Sequence, residues 1–470
     1  MTIGLDQNVS AFYRHGWQSW SETRWRDVAE PVHHMVLPDH RAIGDDPVHS
    51  LDDAPGGSAV GAVRGPDGTV TLLGALGLGA WVTLRDGALH GATEAPEGSW
   101  FSATGDEVEV FSAYAKALSA VLGRRPRRGP QNVWCSWYSF YHGIDAASLG
   151  KVLNDLDGLD VNVFQIDDGW QQEIGDWNVA SDRFDDGLPA FVERIRDTGR
   201  DAGLWIAPFM VSERASLVIE HPEWVLRDGA GAPVNAGWNW HGRCYGLDLS
   251  RDDVLDHVRG VISRAVSWGF TYLKLDFLYA GALPAIRSSD VHREQAYRDG
   301  IEAIRKAAGD DTYLLACGAP LVASIGVFDG ARVGPDVAEY WENTQATLYL
   351  HNISGPNTRY AIATSAHRLW MDEIWDVDPD VTYFRSRYCL LTQQQKALLT
   401  DLTRICGFRG TSDVPAWLDA DERAALAAWY TEDIVVTRTG PLTWRVGERD
   451  VDLRPVASDP PRFLPVPAVS

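Results

Sequence analysis

A lysine and an aspartate two residues apart are the first pair of residues that could take part in catalysis. They lie in the run Tyr272-Leu-Lys274-Leu-Asp276-Phe. Residues two apart on a strand point to the same face, so Lys274 and Asp276 face together, away from the leucines. A lone buried carboxylate is costly, and a neighbouring ammonium stabilises the ionised form that a nucleophile needs. A purely structural Lys–Asp ion pair is the alternative interpretation.

A second carboxylate follows another strand. The run Gly330-Ala-Arg332-Val-Gly-Pro-Asp336 places Asp336 after a strand and a Gly-Pro turn. Aspartate at a turn commonly accepts bonds from the backbone, which is the alternative for Asp336 taken alone. Its strand is, however, the second after that of Asp276. Hydrolysis of a glycoside with retention needs two carboxyl groups about 5 Å apart, and this pair is the candidate.

Two adjacent aspartates end a third strand, in Phe164-Gln-Ile-Asp167-Asp168-Gly-Trp170. Such neighbours repel each other unless they hold something. Mg²⁺ is one possible ligand, sugar hydroxyls are another, and a solvated turn or helix N-cap is the third interpretation. No HExxH, GxSxG or P-loop motif occurs, and the histidines do not pair at ligand spacing. From these motifs alone, a metal enzyme that uses Asp167 and Asp168 is the main competitor.

The composition favours a carbohydrate ligand over a polyanionic one. The chain of 470 residues contains 20 tryptophans. Indole rings stack on pyranose rings, although core packing accounts for many of them. The 42 basic and 65 acidic residues give a formal charge of −23, which repels phosphate backbones and anionic lipid. We therefore expect no nucleic-acid and no membrane partner.

The cysteines and the first residues indicate a reducing compartment. The five cysteines are odd in number and widely spaced, with no CxxC, so they predict neither a disulfide framework nor a zinc site. Residues 1–10 carry no basic region and no apolar run. No stretch reaches the roughly 18 apolar residues of a membrane span. We expect a cytoplasmic protein.

The three strand ends require an alternating β/α architecture. From residue 131 onward, apolar strand-like runs alternate with helical patterns, which predicts a parallel sheet. Eight units suit a closed (β/α)8 barrel, whose working face is where its strands end. The predicted strands are Val133–Ser139, Val161–Asp168, Gly203–Phe209, Tyr272–Phe277, Tyr313–Gly318, Gly330–Gly334, His367–Trp370 and Ile405–Phe408. The predicted helices are Leu149–Leu156, Pro189–Ala202, Val254–Trp268 and Val291–Ala308.

Smaller β-rich regions are predicted on either side of this barrel. Residues 1–125 lack long helical periodicity and carry short strand-like runs between Gly and Asp turns, which predicts a β-sandwich-type domain. The segment Arg124–Pro130, rich in arginine and proline, marks a linker. We assign the barrel to residues 131–420. Residues 421–470 contain strand-like runs at Asp433–Thr439 and Leu442–Val446 and predict a small C-terminal β domain.

Seven motifs in order make the chain resemble the α-galactosidases of glycoside hydrolase family 36, a retaining family of the melibiase clan, in its compact bacterial form. The resemblance runs from about Gly16 to about Gly410. The motifs are Gly16-Trp-Gln-Ser-Trp20, Trp134-Cys-Ser-Trp-Tyr138, Phe164-Gln-Ile-Asp-Asp168, Gly203-Leu-Trp-Ile-Ala-Pro-Phe209, Tyr272-Leu-Lys-Leu-Asp-Phe-Leu-Tyr-Ala-Gly281, Ala316-Cys-Gly-Ala-Pro320 and Arg332-Val-Gly-Pro-Asp336.

The resemblance implies a role for each matching residue. Asp276 matches the nucleophile and Asp336 the acid/base. Asp167 and Asp168 match the pair that holds the axial 4-hydroxyl and the 6-hydroxyl of galactose, so the resemblance implies a sugar clamp and neither a metal nor a cofactor. The other matches are Lys274 on the 3- and 4-hydroxyls, Cys317 and Gly318 beside the 2-hydroxyl, Arg332 near it, and the aromatic residues Trp20, Trp137, Tyr138 and Trp205.

Three features depart from the family pattern. Only 15 residues precede Gly16, so we expect a reduced N-terminal sandwich, and the C-terminal domain is short. The family's Trp-x-Asn-Asp-Pro-Asp run after strand seven is replaced by Trp370-Met-Asp-Glu-Ile-Trp-Asp-Val-Asp-Pro-Asp380. We expect this lengthened segment, Met371–Asp380, to reshape the subsites beyond galactose.

Together these features predict a retaining exo-α-galactosidase that hydrolyses terminal α-linked galactose from oligosaccharides or glycosides by double displacement. An α-N-acetylgalactosaminidase is the alternative, since the small residues of Cys317-Gly-Ala are compatible with space for an acetamide group. A catalytically idle galactose-binding protein is a remote alternative, because both carboxylates are present. The natural aglycone, oligomeric state, pH optimum and transglycosylation are left open by the sequence.

Overall fold

Eight parallel strand positions form the centre of the molecule. The computed structural model describes residues 1–5, 9–95, 98–128, 131–178, 180–184 and 186–465. The strands of the central sheet are Gln131–Cys135, Val163–Ile166, Asp201–Ile206, Tyr272–Leu275, Tyr313–Ala316, Gly330–Arg332, the two-part strand Asp376–Asp378 and Val381–Thr382, and Phe408–Thr411. We number them barrel strands one to eight in this order.

The sheet closes on itself through the two-part strand seven. Asp376–Asp378 pairs with strand six, and Val381–Thr382 pairs with strand eight. Strand eight in turn pairs in parallel with strand one. The predicted (β/α)8 barrel is therefore confirmed.

Alternation along the strands separates an inner from an outer core. Tyr272, Tyr313 and Phe408 belong to a small cluster inside the barrel, where the rings of Tyr272 and Tyr313 stack at 5.1 Å. The neighbouring leucines, such as Leu273, pack outward in the main core. Because side chains alternate, Lys274 and Asp276 follow Tyr272 on the inward face. The aromatic cluster forms a floor, and the polar residues lie above it.

Helices surround the barrel, and their starts follow local capping chemistry. Asp145, Thr392 and Asp419 each close a capping box with the residue three positions on. The longer helices of the ring are Ala146–Asp155, Gly187–Asp197, Asp252–Ser267, Arg293–Ala308, Thr358–His367, Gln393–Cys406 and Ala420–Thr431. Shorter helices are Trp137–Phe140, Ser216–Glu220, Leu321–Ser324 and Thr344–Leu350.

Two predicted strands are wrong. The segment predicted as strand His367–Trp370 contains the end of helix Thr358–His367 and the start of a 3-10 helix, Leu369–Glu373. Short apolar runs do not distinguish strand from helix, whereas the true strand seven, Asp-Val-Asp, lacks an apolar signal.

The predicted strand Ile405–Phe408 covers the end of helix Gln393–Cys406 and only one residue of strand eight, Phe408–Thr411. Gly407, with φ +68°, ends that helix in the left-handed conformation that glycine adopts without strain. The strand therefore begins only after this glycine.

The N-terminal region contains two antiparallel sheets packed face to face. Phe12 and Leu73 of one sheet meet Val82 and Leu89 of the other in a buried cluster. The first sheet has the order Arg24–Asp27, Ala11–Arg14, Val60–Arg64, Val70–Ala75, Trp100–Gly105. The second has the order Thr2–Gly4, Ala88–Thr93, Ala80–Arg85, Gly56–Ser58.

A long helix in this region contradicts the expectation that residues 1–125 lack one. Glu107–Leu122 begins at Asp106, whose side chain accepts from two backbone N–H groups of the first turn. Its buried face, which includes Phe111 and Tyr114, packs between the first sheet and the barrel. The buried residues Val110, Phe111, Tyr114, Ala115 and Leu118 recur at helical spacing, so the sequence does carry the period that the expectation overlooked.

The segment predicted as a linker is anchored to the bottom of the barrel. Arg125 Nε lies 2.9 Å from Asp329 Oδ1, Arg128 donates to the carbonyl of Asp311 at 2.8 Å, and Arg127 donates to the carbonyl of Trp375 at 3.0 Å. The end of the predicted linker, residues 129–130, lies outside the described residues.

The C-terminal region continues the barrel before it forms a sheet. Helix Ala420–Thr431 lies against strand one, since Tyr430 donates to the carbonyl of Val133 at 3.2 Å and Asn132 donates to the carbonyl of Tyr430 at 3.2 Å. The three-stranded antiparallel sheet that follows is Val436–Gly440, Thr443–Val446 and Arg449–Asp452, and a short helix is Arg454–Ala457.

Among the helices of the described ranges, none has the length and apolarity needed to cross a membrane. The cytoplasmic location stays a prediction.

Arg368 clamps the N-terminal segment onto the barrel. It is fully buried, and its guanidinium donates to the carbonyls of Gly16, Gln18 and Ser21 at 3.0 Å, of Ser19 at 2.5 Å and of Val333 at 2.7 Å. Burial lowers the pKa of Arg368 to about 9. This one side chain fixes the turn that carries Trp20.

We expect Arg368→Met to lower the free energy of unfolding by at least about 3 kcal/mol, because five buried carbonyls lose a charged donor. The midpoint of thermal unfolding measures this loss. The matched control is Arg259→Met, at a surface ion pair with Asp256, which should change stability by less than about 0.5 kcal/mol. Equal midpoints for the two variants would contradict the clamp.

Candidate active site

A cavity of about 570 Å³ opens where the barrel strands end. It lies above the aromatic floor formed by Tyr272 and Tyr313. Eight of the predicted site residues line it: Trp20, Trp137, Asp167, Asp168, Trp205, Lys274, Asp276 and Asp336.

Asp276 is held as a hydrogen-bond acceptor. It directly follows strand four, and its backbone N–H donates to the carbonyl of Ile206 at 2.8 Å. The indole N–H of Trp205 donates to Asp276 Oδ2 at 2.9 Å, and the backbone N–H of Phe277 donates to Oδ1 at 2.8 Å. Phe277 has a φ of +50°, an unusual conformation for an aromatic residue that turns the chain just after the carboxylate. These donors fix the orientation of the carboxylate.

Lys274 forms its ion pair with a different carboxylate than expected. Its Nζ lies 3.0 Å from Asp167 Oδ2, so the direct Lys274–Asp276 pair inferred from the sequence is wrong. The long side chain reaches across the barrel to the end of strand two instead of along its own strand. Burial disfavours the ammonium, but Asp167 together with nearby thiols and Asp276 raises the pKa of Lys274 well above its usual value.

Asp336 is paired with a buried arginine. It follows strand six after a short turn, and Arg332 Nη1 donates to its Oδ1 at 3.0 Å. Its side chain keeps 27% of its surface exposed to the cavity. Burial raises the pKa of Asp336, Arg332 and Lys274 oppose the shift, and Asp276 adds to it. Asp336 is therefore suited to carry a proton.

Asp167 and Asp168 are each bound to separate partners. Asp167 Oδ2 accepts from Lys274 and, at 2.6 Å, from Gln165. Asp168 accepts from Gln171 at 2.5 Å. The predicted repulsion is relieved by these donors. The ammonium of Lys274 lies beside Asp167, and its positive charge disfavours a divalent cation at the pair.

Two further partners of Asp168 were not predicted from the sequence. Trp240 Nε1 donates to its Oδ2 at 2.6 Å, and His142 Nδ1 lies 3.0 Å from the same oxygen. The hydrogen bond to Asp168 raises the pKa of His142. Trp240 lies in the turn between strands Asn235–Asn239 and Gly242–Gly246, with a φ of +47°. This hairpin over the cavity interrupts the β/α alternation, so sequence pattern alone could not place it.

Four predicted site residues lie behind the cavity wall. Tyr138 donates to the buried Asp380, and Arg332 pairs with the same carboxylate at 2.8 Å. Cys317 is buried near Asp276, and burial together with that carboxylate raises the pKa of its thiol. Gly318, with a φ of +53°, completes this group. These residues can support the lining side chains, but they do not line the cavity themselves.

Trp20 reaches the cavity from the N-terminal segment. Its ring packs edge-on against Phe277 at 5.0 Å. The adjacent Ser19 donates its backbone N–H to the carbonyl of Ala319 at 3.2 Å, which ties this segment to the loop after strand five. The indole N–H of Trp20 is buried and has no hydrogen-bond partner among the described residues.

Comparison with known proteins places this geometry in a family. The melibiase family model matches residues 124–300. The α-galactosidase AgaA of Geobacillus stearothermophilus is 29% identical over 177 residues, which cover 35% of this chain and 23% of that protein. Alpha-galactosidase 1 of Pediococcus pentosaceus is 26% identical over 33% of this chain and 23% of its own length. The matches thus span about a quarter of these curated relatives.

A solved structure matches almost the whole chain. TtGalA, an α-galactosidase from Thermus thermophilus in complex with p-nitrophenyl α-D-galactopyranoside, is 45% identical with a TM-score of 0.92, and the match covers 97% of this chain and 93% of that one. The chain belongs to the GH36 melibiase family of α-galactosidases. AgaA, at 15% identity and a TM-score of 0.62 over 92% of this chain and 62% of that one, shares the fold.

The prediction that the segment Met371–Asp380 reshapes the subsites beyond galactose is wrong. Residues 371–375 precede strand seven, so they lie at the bottom of the barrel, opposite the cavity. Glu373 there bonds Ser112 of the N-terminal helix at 3.0 Å. The added residues contact the N-terminal region instead of substrate. The run that follows strand seven's first part is Asp378-Pro-Asp380, which lies beneath Arg332.

We expect Trp240→Phe to raise the dissociation constant for galactose about 10-fold, because Asp168 loses an N–H donor while the ring is kept. Isothermal titration calorimetry measures the change. Trp238→Phe is the matched control from the same hairpin, since that indole is half exposed, and it should leave galactose affinity within about 2-fold. Unchanged affinity in Trp240→Phe would show that Trp240 does not support Asp168.

Proposed function

We propose that the chain is a retaining exo-α-galactosidase that releases terminal α-linked galactose. One observation carries this proposal: two carboxyl groups, Asp276 and Asp336, open into one cavity from the ends of strands four and six. Asp276 is surrounded by hydrogen-bond donors. The pKa of Asp336 is raised by burial. A nucleophile and a general acid need this division.

The proposed reaction is a double displacement. Asp276 attacks the anomeric carbon and forms a galactosyl ester, while Asp336 gives its proton to the departing glycosidic oxygen. Asp336, now ionised, then removes a proton from water as that water attacks the anomeric carbon. The ester to Asp276 breaks, galactose leaves with its α configuration retained, and Asp336 is protonated again. The protein's own side chains perform each step, so we propose no metal and no cofactor.

Specificity for galactose is assigned to the buried acid pair. Asp167 and Asp168 are each 2% exposed, so both are desolvated and fixed by partners before substrate binds. Galactose differs from glucose at its axial 4-hydroxyl, and a buried carboxylate that accepts from this hydroxyl is left unsatisfied by glucose. Lys274, bonded to Asp167, is placed to donate to neighbouring hydroxyls.

The shape of the cavity supports action on chain ends. Its lower end is closed by the aromatic cluster of Tyr272 and Tyr313, so a sugar enters from one side only. Indoles of Trp20, Trp137 and Trp205 line the wall and suit the apolar faces of pyranose rings. TtGalA has also been solved in complex with stachyose. We propose raffinose-type oligosaccharides and simple α-galactosides as substrates.

The loop beside the proposed 2-hydroxyl position favours galactose over N-acetylgalactosamine. A methyl group added at Gly318 would lie 2.9 Å from Trp20 Cη2 and 3.1 Å from the backbone of Phe277. Cys317 is buried as well. The small residues thus sit against neighbouring groups behind the cavity wall, so the space that they were expected to leave for an acetamide does not open from them into the cavity. We propose the galactosidase activity over the N-acetyl alternative.

We also propose a division of labour between regions. The N-terminal sandwich, residues 1–125, supplies Trp20, and the barrel, residues 131–420, supplies the carboxylates. The helix Ala420–Thr431 extends the barrel unit, and the sheet after it forms the small C-terminal region.

Mutation of the two carboxylates separates their roles. Asp276→Ala should abolish turnover of every substrate, because no other group can form the covalent intermediate. Asp336→Ala should keep most of the first step on p-nitrophenyl α-galactoside, whose leaving group needs little protonation, while it loses about 10²–10⁴ in rate on raffinose. Azide should restore turnover of the nitrophenyl substrate by Asp336→Ala. The measurement is kcat/KM on both substrates.

The control is Asp290→Ala, which removes an exposed carboxylate distant from the cavity and should keep wild-type rates. If Asp336→Ala lost the same factor on both leaving groups, the acid/base assignment would be wrong. If the wild-type protein turned over the N-acetyl analogue and not the galactoside, the substrate assignment would be wrong.

A further inference from the structure

Asp380 is a fully buried carboxylate to which the proposed mechanism gives no role. It follows Asp378-Pro379 between the two parts of strand seven, with a φ of +78°, a left-handed conformation that is rare outside glycine. A buried charge and a strained backbone at the same residue are both unfavourable. Their presence directly below the cavity indicates that the position is held by its surroundings.

Four donors converge on this carboxylate. Tyr138 donates its hydroxyl to Asp380 Oδ2, and the backbone N–H of Val337 donates to the same oxygen at 2.9 Å. Arg332 Nη2 lies 2.8 Å from Oδ1, and the backbone N–H of Val381 donates to Oδ1 at 2.8 Å. Val337 is the residue that follows Asp336. Asp380 therefore accepts a hydrogen bond from the peptide that joins the proposed acid/base, Asp336, to Val337.

Arg332 connects Asp380 to Asp336 a second time. Each of its three guanidinium nitrogens meets a different carboxylate: Nη1 meets Asp336 at 3.0 Å, Nη2 meets Asp380 at 2.8 Å and Nε meets Asp378 at 3.2 Å. One cation is thus divided among three acids. A change in the charge of one acid therefore alters how strongly Arg332 stabilises the other two carboxylates.

The charged and titratable groups that face Asp380 come from several elements of the barrel. Burial raises the pKa of Asp380 to about 7, Arg332 opposes this shift, and Asp336 and Asp378 add to it. The groups are Arg332, Asp336, Asp378, Tyr138, Tyr383 and Cys135. Lys274 lines the same small space as Asp380, and Arg332 is the cation that bonds the three acids directly.

We propose that Asp380 is a positioning residue for Asp336, which fixes the Asp336–Val337 peptide and Arg332 and, at the pH values where it is ionised, favours the protonated form of Asp336 by its negative charge. This inference rests on the proposed function. Its sign follows from electrostatics. Without the charge of Asp380, Arg332 stabilises ionised Asp336 more strongly, so the pKa of Asp336 falls. The general acid is then lost at a lower pH.

The test compares Asp380→Asn with Asp378→Asn. Both variants remove one negative charge from Arg332, but only Asp380 also bonds Val337 and Tyr138. In both variants the alkaline limb of kcat/KM should move to lower pH by about one unit. Asp380→Asn alone should also lose about 10²-fold on methyl α-galactoside and less than about 10-fold on p-nitrophenyl α-galactoside, because proton donation matters more for the poorer leaving group.

Tyr138→Phe provides a variant that retains the charge of Asp380. It removes one bond to that carboxylate and should lower the rate on methyl α-galactoside by about 10-fold more than on the nitrophenyl substrate, with a smaller shift of the alkaline limb than in Asp380→Asn. Galactose binding by calorimetry checks that each variant is folded. If Asp380→Asn fails this check, Tyr138→Phe decides the positioning role.

Two results would overturn the proposal. One is an unshifted alkaline limb in a folded Asp380→Asn variant. The other is a loss of rate in Tyr138→Phe that is equal on both substrates. An equal loss of rate on both substrates in Asp380→Asn, measured relative to Asp378→Asn, has the same meaning, because that pattern indicates a purely structural role. Failure of the wild-type protein to turn over either substrate refutes the proposed function instead, so the two failures are distinguishable.

Discussion

Six carboxyl groups meet at the carboxyl end of this barrel around two buried cations. Asp167 and Asp276 flank Lys274, while Asp336, Asp378 and Asp380 share Arg332. Asp168 depends on uncharged N–H donors and on His142. This excess of negative charge in a desolvated place is the constraint that organises the site. It makes ionised Asp336 unfavourable, and it favours a substrate that develops positive charge at its anomeric carbon, as glycoside cleavage does.

The rest of the fold fixes the positions of these groups and limits their contact with solvent. The inner aromatic cluster below Lys274 blocks water from the bottom of the barrel. From above, the hairpin that carries Trp240 and the N-terminal segment that carries Trp20 close the sides of the cavity. Among the residues that the structure describes, no carboxylate pairs with the buried Arg368, which holds that segment through backbone carbonyls. A side chain distant from the chemistry thereby fixes the geometry of a cavity wall.

The sequence predicted the barrel and both proposed catalytic carboxylates, because strand alternation and strand-end position are local features. Lys274 and Asp276 do point inward as their spacing required. The ion pair between Lys274 and Asp167 depends on the tertiary structure and could not be read from that spacing. Strand seven escaped prediction because its charged inward residues, Asp376 and Asp378, are neutralised by arginines distant in sequence. Asp380 escaped for the same reason. Where stability depends on long-range charge pairing, a local pattern carries no signal.

The central claim is that Asp276 and Asp336 act as nucleophile and acid/base in one retaining site. Proton NMR of the anomeric region during hydrolysis of p-nitrophenyl α-galactoside tests this claim most directly, because product configuration reports the number of displacements. The account predicts that α-galactose appears first and that the β anomer grows only at the rate of mutarotation. Initial release of β-galactose would mean a single displacement by water, and the assignment of Asp276 as a covalent nucleophile would be contradicted.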